Sequence, residues 1–115
     1  VNMQEKLQEA LRFAGNVYTL EDIKKEIDEG NMQSWVAPDG TWVVTRLVRF
    51  PRKLALEVIL YVGSLGGLDS LWPRVLDFAR AEGATVIRAI GRPGWKRFMS
   101  RYGWQYHTIQ YVREL

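Results

Sequence analysis

The chain predicts an α/β (α+β) fold with element order α-α-β-β-β-α-β-α-β, and three features carry that prediction. Two amphipathic helical stretches come first, at MQEKLQEALRFAG and TLEDIKKEIDEG. The apolar spacing then changes from helical to alternating through SWVA, TWVVTRLVRF and LALEVILYVG. A glycine-rich break, GSLGG, separates the third strand from another long helical pattern. With 115 residues, no internal repeat, no low-complexity tract and no linker, residues 1–115 are expected to form a single domain.

In the first helix Met3, Leu7, Ala10, Leu11 and Ala14 share one face, and Gly15 is a natural stop. Thr19 can cap the second helix, with Asp22 three residues on as a capping-box variant. Its apolar stripe is Leu20, Ile23 and Ile27, its acidic residues form a solvated face, and Gly30 ends it. SWVA and TWVVTRLVRF flank the turn PDG as a hairpin, with Trp42, Val44, Val48, Phe50 and Arg46 on one face. After PRK, strict alternation in LALEVILYVG places Leu54, Leu56, Val58, Leu60 and Val62 on one face and Ala55, Glu57, Ile59 and Tyr61 on the other. Apolar residues on both faces predict a central, buried strand.

LDSLWPRVLDFARAEG reads as the third helix, with Asp69 as its cap, Pro73 in its first turn, and a stripe of Leu71, Trp72, Val75, Leu76 and Ala79. A short strand, ATVIRAI, follows. Pro93 can start a last helix bearing Trp95, Phe98, Met99 and Tyr102 on one face, closed by Gly103, and WQYHTIQYV reads as the final strand. Lys96, Arg97 and Arg101 then fall on the outer face of that helix.

Composition removes several kinds of chemistry. Without cysteine there are no disulfides and no thiolate nucleophile, and the lone His107 excludes a histidine-cluster metal site, so no metal is expected. No apolar run approaches the roughly 20 residues of a membrane span, and no signal-peptide pattern is visible, so a cytoplasmic protein is expected. The net charge of +3 fits an acidic ligand such as a nucleotide-bearing cofactor or a nucleic acid, and equally fits a small basic domain with neither. Arg88, Arg92, Lys96, Arg97 and Arg101 with Trp95 and Trp104 could form a basic, stacking surface for nucleic acid. Against that reading, the charge is low and the aromatics sit at helix-core spacing.

The element order, with a glycine loop between a long strand and a helix, resembles the GNAT N-acetyltransferase superfamily over most of the chain. VRFPRK, ARAEG, GRPGW and YGW together resemble small GNAT-like proteins of tailed phages and prophages. The resemblance implies a central mixed, mostly antiparallel sheet flanked by helices. It also implies an acyl-CoA-dependent N-acetyltransferase (an acyltransferase, with acetyl-CoA as cofactor and an amine as acceptor) located in the host cytoplasm or the virion. In that family acetyl-CoA lies between two splayed strands, here at Tyr61 and Val62. Its pyrophosphate is held by backbone N–H groups of a loop of pattern Q/R-x-x-G-x-G/A at a helix start. The corresponding residues are Gly63, Gly66 and Gly67. Gly66 matches the first glycine of the pattern, Gly63 stands where Gln or Arg is usual, and Leu68 replaces the second small residue. No basic residue accompanies the loop. A plain turn-glycine cluster is the other reading of the same residues.

A second family segment, N-x-x-A-x-x-L-Y-x-x-L-G-F, places Arg92 at the Asn position as a secondary phosphate contact. Trp95 falls at the Ala position, as a wall for a flat ligand or a plug in the groove. Met99 falls at the position of the Tyr that serves as general acid, and a thioether donates no proton. Tyr102, with Tyr106 nearby, is the substitute acid. Glu57 is the only carboxylate of the central strand and the candidate base; its other reading is a cross-strand partner for Arg46, Arg49 or another arginine. The alternative function is a non-catalytic GNAT-fold binding module or virion-associated accessory protein. A homodimer is a further possibility, through the terminal strands and exposed aromatics such as Trp35.

Overall fold

The computed structural model describes residues 3–90, 96–107 and 110–115, apart from the side chains of Met3, Lys96 and Phe98. Helices α1 (Met3–Phe13) and α2 (Leu20–Asp28) precede strands β1 (Gln33–Val36), β2 (Trp42–Arg49) and β3 (Leu54–Val62). Helix α3 (Leu65–Ala81), strand β4 (Val86–Ala89) and helix α4 (Lys96–Ser100) follow.

Local chemistry explains the boundaries. α1 ends where Gly15 turns to φ 90° and the Asn16 N–H returns to the Leu11 carbonyl. α2 begins at a complete capping box: the Thr19 hydroxyl accepts from the Asp22 N–H at 3.1 Å, and the Asp22 carboxylate accepts from the Thr19 N–H at 2.9 Å. Those bonds to Thr19 hold the Asp22 carboxyl below the usual carboxylate range.

The sheet has the order β1-β2-β3-β4. The first three strands are antiparallel, and β4 joins β3 in parallel after the α3 crossover. This is the mixed, mostly antiparallel sheet that the resemblance implies. One face packs on α3 through Val43, Leu56, Leu71, Val75 and Ala79. The other packs on α1 and α2 through Ala10, Leu11, Ile23, Val44, Leu60 and Val62. Thr45 is fully buried but satisfied: it accepts from the Trp35 indole at 3.0 Å and donates to Gln33 at 2.9 Å.

Three expectations change. The alternation along β3 is broken by a bulge. Val44 pairs with Leu60 while the next residue, Thr45, pairs with Val58, so Ile59 is an extra residue in β3. Parity reverses beyond it. Leu56 and Val58 pack toward α3, but Leu60 and Val62 pack with α1 and α2, and Tyr61 crosses to the α3 side.

Helix α3 starts five residues earlier than Asp69 suggests, because Ser64 is the true cap, its hydroxyl accepting from the Gly67 N–H at 2.9 Å. Pro73 therefore lies in the helix interior, where its ring removes the bond that the Asp69 carbonyl would accept. The final strand expected at WQYHTIQYV does not form in the described residues: 104–107 and 110–115 join no ladder, and 108–109 lie outside the description. Among the described residues nothing pairs with the outer edge of β4, so no template orders that segment as a strand.

Leu71 is fully buried between α3 and the sheet. Leu71→Ala is expected to cost about 2–5 kcal/mol of unfolding free energy, read as a lower urea midpoint at unchanged slope.

Candidate functional site at the open end of the sheet

The bulge follows directly on the place where the described β3–β4 ladder ends. The parallel ladder runs from Ala55 opposite Val86 to Val58 opposite Ala89 and stops. β3 continues through Ile59–Val62 with no β4 partner among the described residues. A bulge bends its strand and increases local twist, and the one at Ile59 falls just past the last described β3–β4 pair. Among the described residues the edge of Ile59–Val62 has no strand beside it, a gap in the described ladder that ends at the start of α3.

Only Gly63 and Ser64 connect β3 to α3. The connection is shaped by the β1–β2 turn, which packs directly on it. Gly63 sits at φ 138°, and a Cβ there would collide with the side chain and backbone of Thr41. A Cβ on Gly67 would collide with Thr41 and Asp39. Two of the three glycines expected to hold phosphate are thus required by packing. Gly66 differs: nothing lies within 4 Å of a Cβ built on it. It is also the second residue of α3, so its N–H and that of Leu65 have no intrahelical acceptor. The Gly67 N–H, by contrast, is already taken by Ser64.

Sequence reasoning missed the residue that dominates this corner. Asp39, read only as part of a PDG turn, places its carboxylate beside the first turn of α3. Its Oδ2 accepts from the Ser64 hydroxyl at 2.5 Å, and its Oδ1 accepts from the Thr41 N–H at 2.9 Å. The Ser64 N–H in turn donates to Thr41 Oγ1 at 3.1 Å. Hydrogen bonds from Ser64 first, and from Thr41 second, lower the Asp39 carboxyl to about 2. The signals were a Ser three residues before a Gly in GSLGG, which is cap spacing, and an Asp two residues before a Thr, which is Asx-turn spacing.

The other expected site residues are dispersed. Tyr61 packs with Val43 and Leu71 on the α3 side and donates its hydroxyl proton to the Gly63 carbonyl at 3.2 Å. Val62 is buried against α1 and α2, which leaves only its main chain at the gap. Glu57 sits two residues before the bulge, paired with Arg46 at 3.3 Å and Arg88 at 3.1 Å. Arg46 also donates to the Tyr18 hydroxyl at 2.8 Å, its Nε is buried with no partner among the described residues, and Arg88 lies over the Phe50 ring at 4.9 Å. Glu57 thus sits in ion pairs with Arg46 and Arg88, on the strands to either side of it.

Tyr102 lies away from the gap, lining a shallow groove of about 390 Å³ on the outer flank of α3 with Trp72, Pro73 and Leu76. Trp104 packs on Trp72 at 5.4 Å, so its ring is engaged by the protein rather than open for stacking on a base. Arg92 and Trp95 lie outside the described residues.

The three glycines separate by experiment. Gly63→Ala and Gly67→Ala should lower the melting temperature, whereas Gly66→Ala should leave it unchanged or raise it, by up to about 1 kcal/mol of helix propensity. Asp39 provides a pH test. Its folded pKa lies below the unfolded value of about 3.9, so its stabilisation is present above that value and is lost as pH falls toward about 2. Asp39→Asn should flatten the fall in stability between about pH 4 and 2, as measured by acid titration of circular dichroism.

No family model matches the chain, and no curated protein matches its sequence. Solved structures do match its fold. An acetyltransferase of Trypanosoma brucei superposes with a TM-score of 0.64 at 14% identity, covering 100% of this chain and 96% of that one. Glucosamine-6-phosphate N-acetyltransferase from Arabidopsis thaliana gives 0.62 at 14%, covering 99% and 94%. An aminoglycoside acetyltransferase from an uncultured soil metagenomic sample, solved with sisomicin, gives 0.66 at 10%, covering 97% and 88%. The chain thus shares its fold, the GNAT fold, with solved acetyltransferases.

Proposed function

We propose that the chain is an acyl-CoA-dependent N-acetyltransferase that transfers an acetyl group to an amine. The observation that carries this reading is that β3 runs on past the end of its described pairing with β4 to the exposed first turn of α3, where open space surrounds Gly66. The fold neighbours that are acetyltransferases support it.

Acetyl-CoA would lie with its pantetheine arm along the unpaired backbone edge of Ile59–Val62, whose peptide groups match an amide-bearing chain. Its pyrophosphate would meet the N–H groups of Leu65 and Gly66, where the helix dipole favours an anion. The open space over Gly66 fits such an approach; Gly63 and Gly67 shape the corner without touching the ligand. The bound cofactor supplies an activated thioester carbonyl. The protein's share is to align that carbonyl with the amine, exclude water, and accept the proton that a neutral amine must lose.

Glu57 is the candidate acceptor of that proton, two residues from the bulge and on the sheet face shared with α1 and α2. Two guanidinium groups occupy its oxygens, so Arg88, the more exposed of the two, must shift for Glu57 to reach an amine. Tyr102, out on the flank of α3, is not assigned the role of acid.

A second reading is a non-catalytic module, such as a phage-encoded accessory protein, that keeps the scaffold. Two observations favour it: Glu57 is held by two arginines, and Asp39 sets a negative charge beside the proposed phosphate contact.

Calorimetric titration with acetyl-CoA separates the readings. Saturable binding that Gly66→Glu abolishes, followed by turnover in an amine screen that Glu57→Gln lowers about 100-fold, is the expected result. Absence of heat at millimolar ligand would sink the acetyltransferase reading and leave the module.

A further inference from the structure

The β1–β2 turn does more than close a hairpin. Asp39 projects from that turn onto the start of α3, and no cation accompanies it: it forms no ion pair among the described residues. Its partners are the hydroxyl of the cap residue Ser64 and the Thr41 N–H. Its Oδ1 also lies against Gly67, the third residue of α3, so closely that a Cβ on that glycine would collide with it. The negative charge is therefore fixed within the first turn of the helix, where it takes up the favourable potential of the helix end. Thr41, 1% exposed, anchors the turn from beneath. Meanwhile the two neighbouring N–H groups, on Leu65 and Gly66, have no intrahelical acceptor, and Gly66 has open space around it.

We propose that Asp39 is an intramolecular competitor for the phosphate end of the donor, a specificity-determining residue that makes this site weak for diphosphate-bearing ligands and leaves binding of the neutral pantetheine arm untouched. The inference rests on the reading that the donor meets α3 at Gly66. It follows from the sign and position of the charge. A diphosphate approaching Leu65 and Gly66 meets a helix end already neutralised by a carboxylate, together with direct like-charge repulsion that salt screens. Nothing in the Asp39 contacts depends on a bound ligand, so the competition is built into the resting fold.

Asp39→Asn keeps the shape and an acceptor for the Thr41 N–H while removing the charge. Asp39→Ser, a shorter acceptor, serves as the second variant should the first fail to fold. Affinities of the native protein and the variants are measured by calorimetry for coenzyme A and for pantetheine, which lacks the phosphates, at low salt and at about 1 M salt, where the Debye length is about 3 Å. Thermal unfolding checks that each variant is folded.

The expected result is about 2- to 30-fold tighter binding of coenzyme A by the folded variant at low salt, the range that a single charge at a helix end spans. The gain should shrink at high salt, and pantetheine affinity should not change. Equal or weaker coenzyme A binding by a folded variant overturns the competitor while native binding leaves the donor site standing. Binding by the variant alone supports the competitor and overturns the acetyltransferase reading of the native chain. An equal gain for pantetheine overturns the charge argument, and no binding of coenzyme A by any form overturns both proposals.

Discussion

The contact between Thr41 and the two glycines that flank the start of α3 is the constraint on which the open end of this molecule depends. Thr41 sits where a methyl group on Gly63 or Gly67 would have to be. The β1–β2 hairpin therefore abuts the β3–α3 junction with no spare volume. That contact sets where α3 begins and why Ser64 rather than Asp69 caps it, since the Ser64 N–H needs Thr41 Oγ1 and the Ser64 hydroxyl needs Asp39. It also explains a connection of only two residues between a buried strand and a 17-residue helix. A longer loop would offer more free N–H groups to a phosphate, but it would not fit under the hairpin turn.

The bulge at Ile59 is the second constraint, and it works through the first. Without the extra residue, Leu60 and Val62 would face α3 and Tyr61 would face α1 and α2. The core under α1 would then lose two of its buried aliphatics. With it, the strand changes face halfway along. One local irregularity thus fills the α1–α2 core and falls where the described β3–β4 ladder ends at Val58 and Ala89.

Much of the fold was legible because most elements carry local signals. The Thr19–Asp22 capping box, the glycines after α1 and α2, and the change of hydrophobic period at residue 34 each arise from neighbouring residues, and each appears as the sequence predicts. What could not be read depends on residues distant in the chain. Ile59 is an apolar residue in an apolar run, and its bulge exists only relative to β2. Asp39 lies 25 positions from the hydroxyl it accepts from, and a PDG triplet has the same local meaning wherever its carboxylate points. Gly63, Gly66 and Gly67 look equivalent as letters; the structure assigns two of them to Thr41 and leaves one open. The third strand was likewise read at strict period two, and a single inserted residue was enough to place Leu60, Tyr61 and Val62 on the wrong faces.

The polar row across the sheet shows how a shared fold and a particular chemistry can part. Arg46, Glu57 and Arg88 stand side by side on three adjacent strands, with the Tyr18 hydroxyl at one end and the Phe50 ring under the other. Partly exposed ion pairs of this kind are worth roughly 1 kcal/mol or less each, so the row is not what holds the sheet together; the apolar packing on both faces does that. Its effect is on Glu57 itself. A carboxylate that must accept a proton from an amine works best with few competing cations, and this one has two. Either an incoming amine displaces Arg88, the outermost and most exposed member of the row, or the carboxylate stays a strut. The fold is compatible with both, because the same backbone presents Glu57 at the same place in each case. The difference lies in where one exposed guanidinium rests when a ligand occupies the gap.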